Sequence, residues 1–201
     1  MRCAFVVGAL FFGAKSFAQL SGNYTIGATG NYPNFNSAVT ALTTLGVNGP
    51  VKFTVLPGSG PYNEQVTIPA ITGSSAINSI TFKGNMETLT NSVTTTTDRQ
   101  TIKLNGADYV TIDSLVIINT NTTFSIGVHL TNAADFNTIS NCVIQTPNST
   151  SSNNASIAIS GTSPTTAGNN GNNNTITGNI ISGGFYGISM YGTSTTNYAN
   201  G

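Results

Sequence analysis

Five side chains have types and spacings that could do chemistry. Asp108 and Asp135 occupy equivalent positions 27 residues apart, each followed by an aromatic residue, Tyr109 and Phe136. If those positions stack, the two carboxylates lie within one or two strand spacings of each other. Such a pair offers hard oxygen ligands to Ca²⁺. The same residues also serve as turn formers that bond their own backbone, and Asn172 stands at the third equivalent position. Tyr109 and Phe136 would stack on one face, where an aromatic strip beside polar groups suits a sugar ring, or they would pack against a neighbouring loop. Asp113 is charged where its counterparts are Ser140 and Thr177, and Arg99 or Lys103 from the preceding coil is its expected partner.

Other reactive groups point elsewhere. His129 is the only histidine and lies between Val128 and Leu130, so its side chain is expected to point outward, opposite theirs. A Ser-His-Asp site needs a positioned nucleophile and an orienting acid, and no spacing here supplies them. Cys142 aligns with Leu115 and Asn179 and is expected to be inert and half-buried, with no cation beside it in sequence. No metal-spaced Cys/His cluster and no glycine-rich phosphate loop is present, so no cofactor is expected, with Ca²⁺ at Asp108 and Asp135 the one candidate metal. No basic stripe exists to neutralise phosphates, which argues against nucleic acid as a partner.

These residues are positioned by a repeat. Ala107–Ile117, Ala134–Ile144 and Asn172–Ile181 align, with Thr-Ile at 111, 138 and 175 and a second Ile five residues after the first. A further strand follows each: Ser125–Leu130, Ala155–Ile159 and Tyr186–Met190. The units are short, β-branched and bounded by Asn, Gly and Ser, with no sustained helical stripe after residue 47. Constant strands with polar connections of varying length specify a solenoid, because insertions fall outside the stacked core. The expected fold is all-β, a right-handed parallel β-helix in which Ile stacks on Ile and turn asparagines repeat their own ladder. Upstream, Ser21–Gly27 reads as a strand. Phe35, Ala38, Val39, Leu42 and Leu45 form one helical stripe stopped by Gly46, expected to cover the open end of the first rung.

The organisation follows. Residues 1–18 read as a signal peptide: Arg2, the apolar run Cys3–Phe12, and Ser16-Phe17-Ala18 with cleavage before Gln19. That run is shorter than the ~20 residues a membrane span needs, so no span is expected after cleavage. Residues 19–50 hold the first strand and the capping helix, and 51–201 the rungs. The sequence stops in a polar loop without a capping element, which reads as a truncated solenoid. Only 6% of residues are charged, and after cleavage Lys52, Lys83, Arg99 and Lys103 face six carboxylates, leaving a nearly neutral, polar surface. Cys142 is then the sole cysteine, so an internal disulfide is excluded.

Tyr62-Asn63-Glu64-Gln65-Val66-Thr67-Ile68, behind the Asn36–Leu45 helix and the Val51–Leu56 strand, resembles the first coil of pectin-lyase-like proteins. Thr-Ile-Thr-Gly-Asn-Ile-Ile at 175–181 is similar to their Asn-rich repeats. Gly22–Gly46 with the repeats behind it most resembles large secreted surface proteins of Gram-negative bacteria that carry a C-terminal sorting domain, absent here. The resemblance implies an extracellular or outer-surface location and polysaccharide or cell-surface glycan as partner. Glu64 is structural in that superfamily and is not carried over as catalytic. A lyase of that type needs carboxylates that bind Ca²⁺ and a basic proton abstractor, and a hydrolase needs clustered acids. The acids here are few and scattered. The leading expectation is therefore a non-enzymatic module presenting loops for adhesion or glycan contact. Its alternatives are the N-terminal part of a polysaccharide-active enzyme and a passive spacer in a large surface protein.

Overall fold

The computed structural model describes residues 18–92 and 94–192. The expected signal peptide, but for Ala18, and the last nine positions lie outside the described residues. In chain order the elements are β1 (Leu20–Ile26), α1 (Phe35–Leu45), β2 (Val47–Val55), β3 (Tyr62–Asn63), β4 (Val66–Pro69), β5 (Ile80–Lys83), β6 (Thr88–Asn91), β7 (Gln100–Asn105), β8 (Val110–Asp113), β9 (Val116–Asn119), β10 (Ile126–Thr131), β11 (Thr138–Ser140), β12 (Val143–Asn148), β13 (Ala155–Ile159), β14 (Thr175–Thr177), β15 (Ile180–Gly184) and β16 (Tyr186–Met190). Each coil after the first contributes one strand to each of three parallel sheets, and the first contributes β1 alone. The first sheet runs β1-β2-β5-β8-β11-β14, the second β3-β6-β9-β12-β15, and the third β4-β7-β10-β13-β16. The result is a parallel β-solenoid of about six turns with a single short helix near its N-terminus.

Stacking in register puts like on like. Phe53, Phe82, Ile112, Ile139 and Ile176 form one inward row of the first sheet. Tyr62, Leu89, Ile117, Ile144 and Ile181 form the row of the second. Val66, Ile102, Val128, Ile157 and Ile188 form that of the third. No coil could bury these side chains alone, so the core is continuous along the axis. At its N-terminal end Phe53 and Phe82 stack at 4.9 Å, and Phe35 of α1 meets Tyr62 edge-on at 5.1 Å.

The aligned units are not single strands. Each bends directly after a first strand of three or four residues, at a left-handed position, Ser114 (φ 55), Asn141 (φ 54) or Gly178 (φ 65). The bend explains how two isoleucines five apart both point inward: Ile112 belongs to the first sheet and Ile117 to the second. On an unbroken strand an odd separation would put them on opposite faces.

Helix α1 replaces the second and third strands of the first coil and packs on β1 and β4, covering the end of the core. Phe35, Ala38, Val39 and Leu42 are its buried stripe. Its start is heavily satisfied. Asn34 Oδ1 accepts from the Ser37 N–H at 2.9 Å, and the Glu64 carboxylate accepts from the Phe35 and Asn36 N–H groups at 3.1 and 2.9 Å. Glu64 thus holds the helix from the neighbouring coil. Gly46 (φ 68) ends it, its N–H donating to the Leu42 carbonyl.

Candidate functional site

Four of the five candidates gather at the corner before β8 and β11, and Asp113 lies apart from them at the far end of β8. Tyr109 (φ 58) and Phe136 (φ 57) are left-handed corner residues immediately before β8 and β11. Such a conformation costs bulky residues roughly 1 kcal/mol or more. It turns the rings out of the coil and onto each other, with centroids 5.0 Å apart and planes within 3°. Phe136 remains 47% exposed. Each ring spends one face on the other, and Tyr109 is half-buried.

Asp108 and Asp135, one residue earlier, are joined through the backbone. The Asp135 N–H donates to Asp108 Oδ1 at 2.8 Å, and the Asn172 N–H donates to Asp135 Oδ1 at 2.6 Å. Each carboxylate therefore ties its coil to the next. Burial raises the Asp108 pKa, against the lowering effect of the Asp135 N–H. With one oxygen of each already used, the pair falls short of the roughly six to eight oxygens Ca²⁺ takes. Among the described residues no group of three or more His, Cys, Asp or Glu could hold a metal ion.

Asp113 lies at the far end of β8. Its partner is Lys83, one coil earlier on the same outward row, and not Arg99 or Lys103. Asp113 Oδ1 also accepts from Ser140 Oγ at 3.1 Å and Asn141 Nδ2 at 2.8 Å. Burial alone would raise its pKa, but the bonds from Lys83, Asn141 and Ser140 win and hold it at about 2. Arg99 faces the other side of the solenoid, its guanidinium 4.7 Å from the Phe124 ring centroid and bonded to Asn153 Oδ1 at 2.9 Å. Lys103 pairs with Asp98 at 3.3 Å.

Between the aromatic pair and the Asp113 cluster runs a row that sequence reasoning did not single out. Thr81, Thr111, Thr138 and Thr175 stack in register, one per coil, preceded by Asn23 and Lys52. The strand spacing repeats their hydroxyls every ~4.8 Å. No described residue takes a hydrogen bond from, or gives one to, these four hydroxyls. At the N-terminal end the same face opens into a shallow groove of about 530 Å³ lined by Asn23, Lys52 and Thr81. The signal was present, because Thr precedes Ile at 111, 138 and 175, and period two sends it outward wherever Ile goes inward.

His129 and Cys142 differ from expectation in their burial. In the pleat His129 does point away from the core, but the segment beginning at Ser160 folds over it, and it is 2% exposed. Its Nε2 lies 3.2 Å from Ser160 Oγ and 3.3 Å from the Ser160 carbonyl. Burial pulls its pKa down to about 4. No acid orients the ring, so the pair lacks the third member of a triad. Cys142 is fully rather than half buried, and burial raises its thiol pKa.

Comparison with protein-family models, with curated proteins and with solved structures finds no match in any of the three. The geometry of the outer faces is thus what a functional reading has to stand on.

Proposed function

We propose that this chain is a secreted or cell-surface β-solenoid module, pectin-lyase-like in kind, that holds extended glycan chains along the outer face of its first sheet and does no chemistry on them. The observation that carries the reading is the row Thr81, Thr111, Thr138 and Thr175 beside the Tyr109–Phe136 stack. A polysaccharide offers hydroxyls at a regular repeat and apolar C–H faces between them. The threonine row offers matching donors and acceptors at ~4.8 Å intervals, comparable to one sugar unit of an extended β-linked chain. The exposed aromatic edge supplies apolar contact. The groove at Asn23, Lys52 and Thr81 continues the track along the axis.

A non-enzymatic role is supported by how the acids are used. Asp108 and Asp135 tie coils together, Glu64 holds α1, and Asp113 is ion-paired. Glu87 accepts from the Gly58 and Gly60 N–H groups. Each has at least one oxygen committed to a structural bond, whereas glycoside hydrolysis asks for an acid and a base both free to face the scissile bond. The leader sequence supports export, and among the described residues no helix is long and apolar enough to cross a membrane.

The test is retention on a panel of neutral and acidic polysaccharides, followed by assay for new reducing ends and unsaturated products with and without Ca²⁺. Retention without turnover is expected. Turnover would overturn the non-enzymatic reading, and absence of retention across the panel would overturn glycan binding.

A further inference from the structure

The third sheet carries a separate recess. Its outward row is Thr67, Lys103, His129, Ala158 and Ser189. The connection before β7 and the long one after β13 flank this row and leave a half-open recess of about 240 Å³. Lys103, His129, Thr131, Thr162 and Thr166 line it, with Gly161 and Gly168 in the wall. The geometry points to a binding site for a small oxyanion: a sulfate, phosphate or carboxylate group, free or borne on a larger ligand.

The charge of the recess favours an anion. Lys103 is the only charged residue in the lining, and no carboxylate lines the cavity. The Lys103 side chain is 18% exposed, so its ammonium is partly withdrawn from water, while its partner Asp98 is 53% exposed and contacts it at 3.3 Å. An arriving oxyanion can take Asp98's place without any movement of the sheet, and a charge–charge bond in a partly desolvated recess is stronger than one in open water. A cation finds no acid there. A neutral sugar finds no aromatic ring to stack on.

The recess also supplies hydroxyl donors. No bond within the described residues uses the hydroxyls of Thr131 and Thr162, and both face the same space as Lys103. The wall is preformed. Gly161 N–H donates to the Thr166 carbonyl at 2.7 Å, closing the loop on itself, and His129 Nε2 lies within bonding distance of Ser160 at its base. The two glycines permit this closure. A Cβ at Gly161 would lie 2.6 Å from the Ala167 carbonyl oxygen, and one at Gly168 would lie 2.7 Å from the Gly161 Cα.

The sole histidine of the chain reports on the site directly. The charges that act on it are Lys103 on the adjacent strand and Arg99 just before that strand, with Asp98 on Lys103. A bound anion favours the imidazolium, so anion binding and His129 protonation must strengthen each other. The experiment is an NMR titration of the His129 ring in the full chain, in chloride, sulfate, phosphate and acetate at matched ionic strength. A saturable shift with at least one oxyanion beyond the chloride response is expected, together with a higher titration midpoint. Lys103→Met should weaken that binding by about tenfold or more. Thr43→Ala, at an exposed position of α1, should not. Thr162→Ala, at an exposed loop position, gives a second reading if Lys103→Met does not fold, and should also weaken binding. The relative strength of the three anions identifies the group preferred. A response to all three equal to that of chloride, or undiminished binding in the folded variants, overturns the assignment.

Discussion

Asn137 is 1% exposed, and both ends of its side chain are engaged. Its Oδ1 accepts from the Val110 N–H at 2.9 Å and its Nδ2 donates to the Ala107 carbonyl at 2.8 Å, while its own N–H donates to Asn174 Oδ1. Asn174 repeats the pattern on the Ala134 carbonyl. Here an amide side chain replaces the ladder where the backbone turns a corner. Asn137→Ala strands a buried donor and a buried acceptor, at roughly 1–3 kcal/mol each. The expected loss is about 3 kcal/mol of unfolding free energy in urea, and a loss under ~1 kcal/mol would contradict the ladder. His129 sets an acid limit. Its folded pKa of about 4 lies below its ordinary 6.5, so between those values the unfolded chain binds more protons and stability rises with pH. Its contribution is complete above ~6.5 and is lost as pH falls to ~4, a span worth about 3 kcal/mol. Replacing His129 with Gln should flatten that part of the stability–pH curve. At this scale the sequence was only half legible. Repeat alignment located Asp108, Asp135, Tyr109 and Phe136 on one side. It did not find Lys83 as the partner of Asp113, because register between coils depends on where each turn falls.

Helix α1 could be placed from sequence because a 3.6-residue stripe ending at a glycine has one physical reading. The corner at Ser114 could not, because a left-handed serine carries no local signature. The aligned units therefore read as single strands, and β6 and the second sheet went unseen. Glu64 shows how an element of one coil stabilises another. A carboxylate on two N–H groups of a helix start satisfies orphan donors and opposes the positive end of the helix dipole. Glu64→Ala should cost about 1–2 kcal/mol and speed hydrogen exchange at the Phe35 and Asn36 amides. Glu64→Gln should recover part of both. Unchanged exchange in the alanine variant would remove Glu64 from the account of the cap.

Across the whole molecule, repetition made the fold legible and the loops hid the rest. A side chain that recurs once per coil becomes a row, so an inward isoleucine and an outward threonine each specify a line along the axis. The cavity on the third sheet has no such signature, since its walls come from connections of unequal length: successive Thr-Ile units are 27 and then 37 residues apart. The central claim concerns the outward row, and one variant tests it. Thr138→Arg places a long side chain in the middle of the track, at an outward position that no core contact constrains. Binding to a retained neutral polysaccharide, measured by affinity electrophoresis, should fall about tenfold or more with the unfolding transition unmoved, while Lys103→Met in the third-sheet recess binds as the parent does. Parent-like affinity in folded Thr138→Arg would contradict the claim that glycans lie along the first sheet.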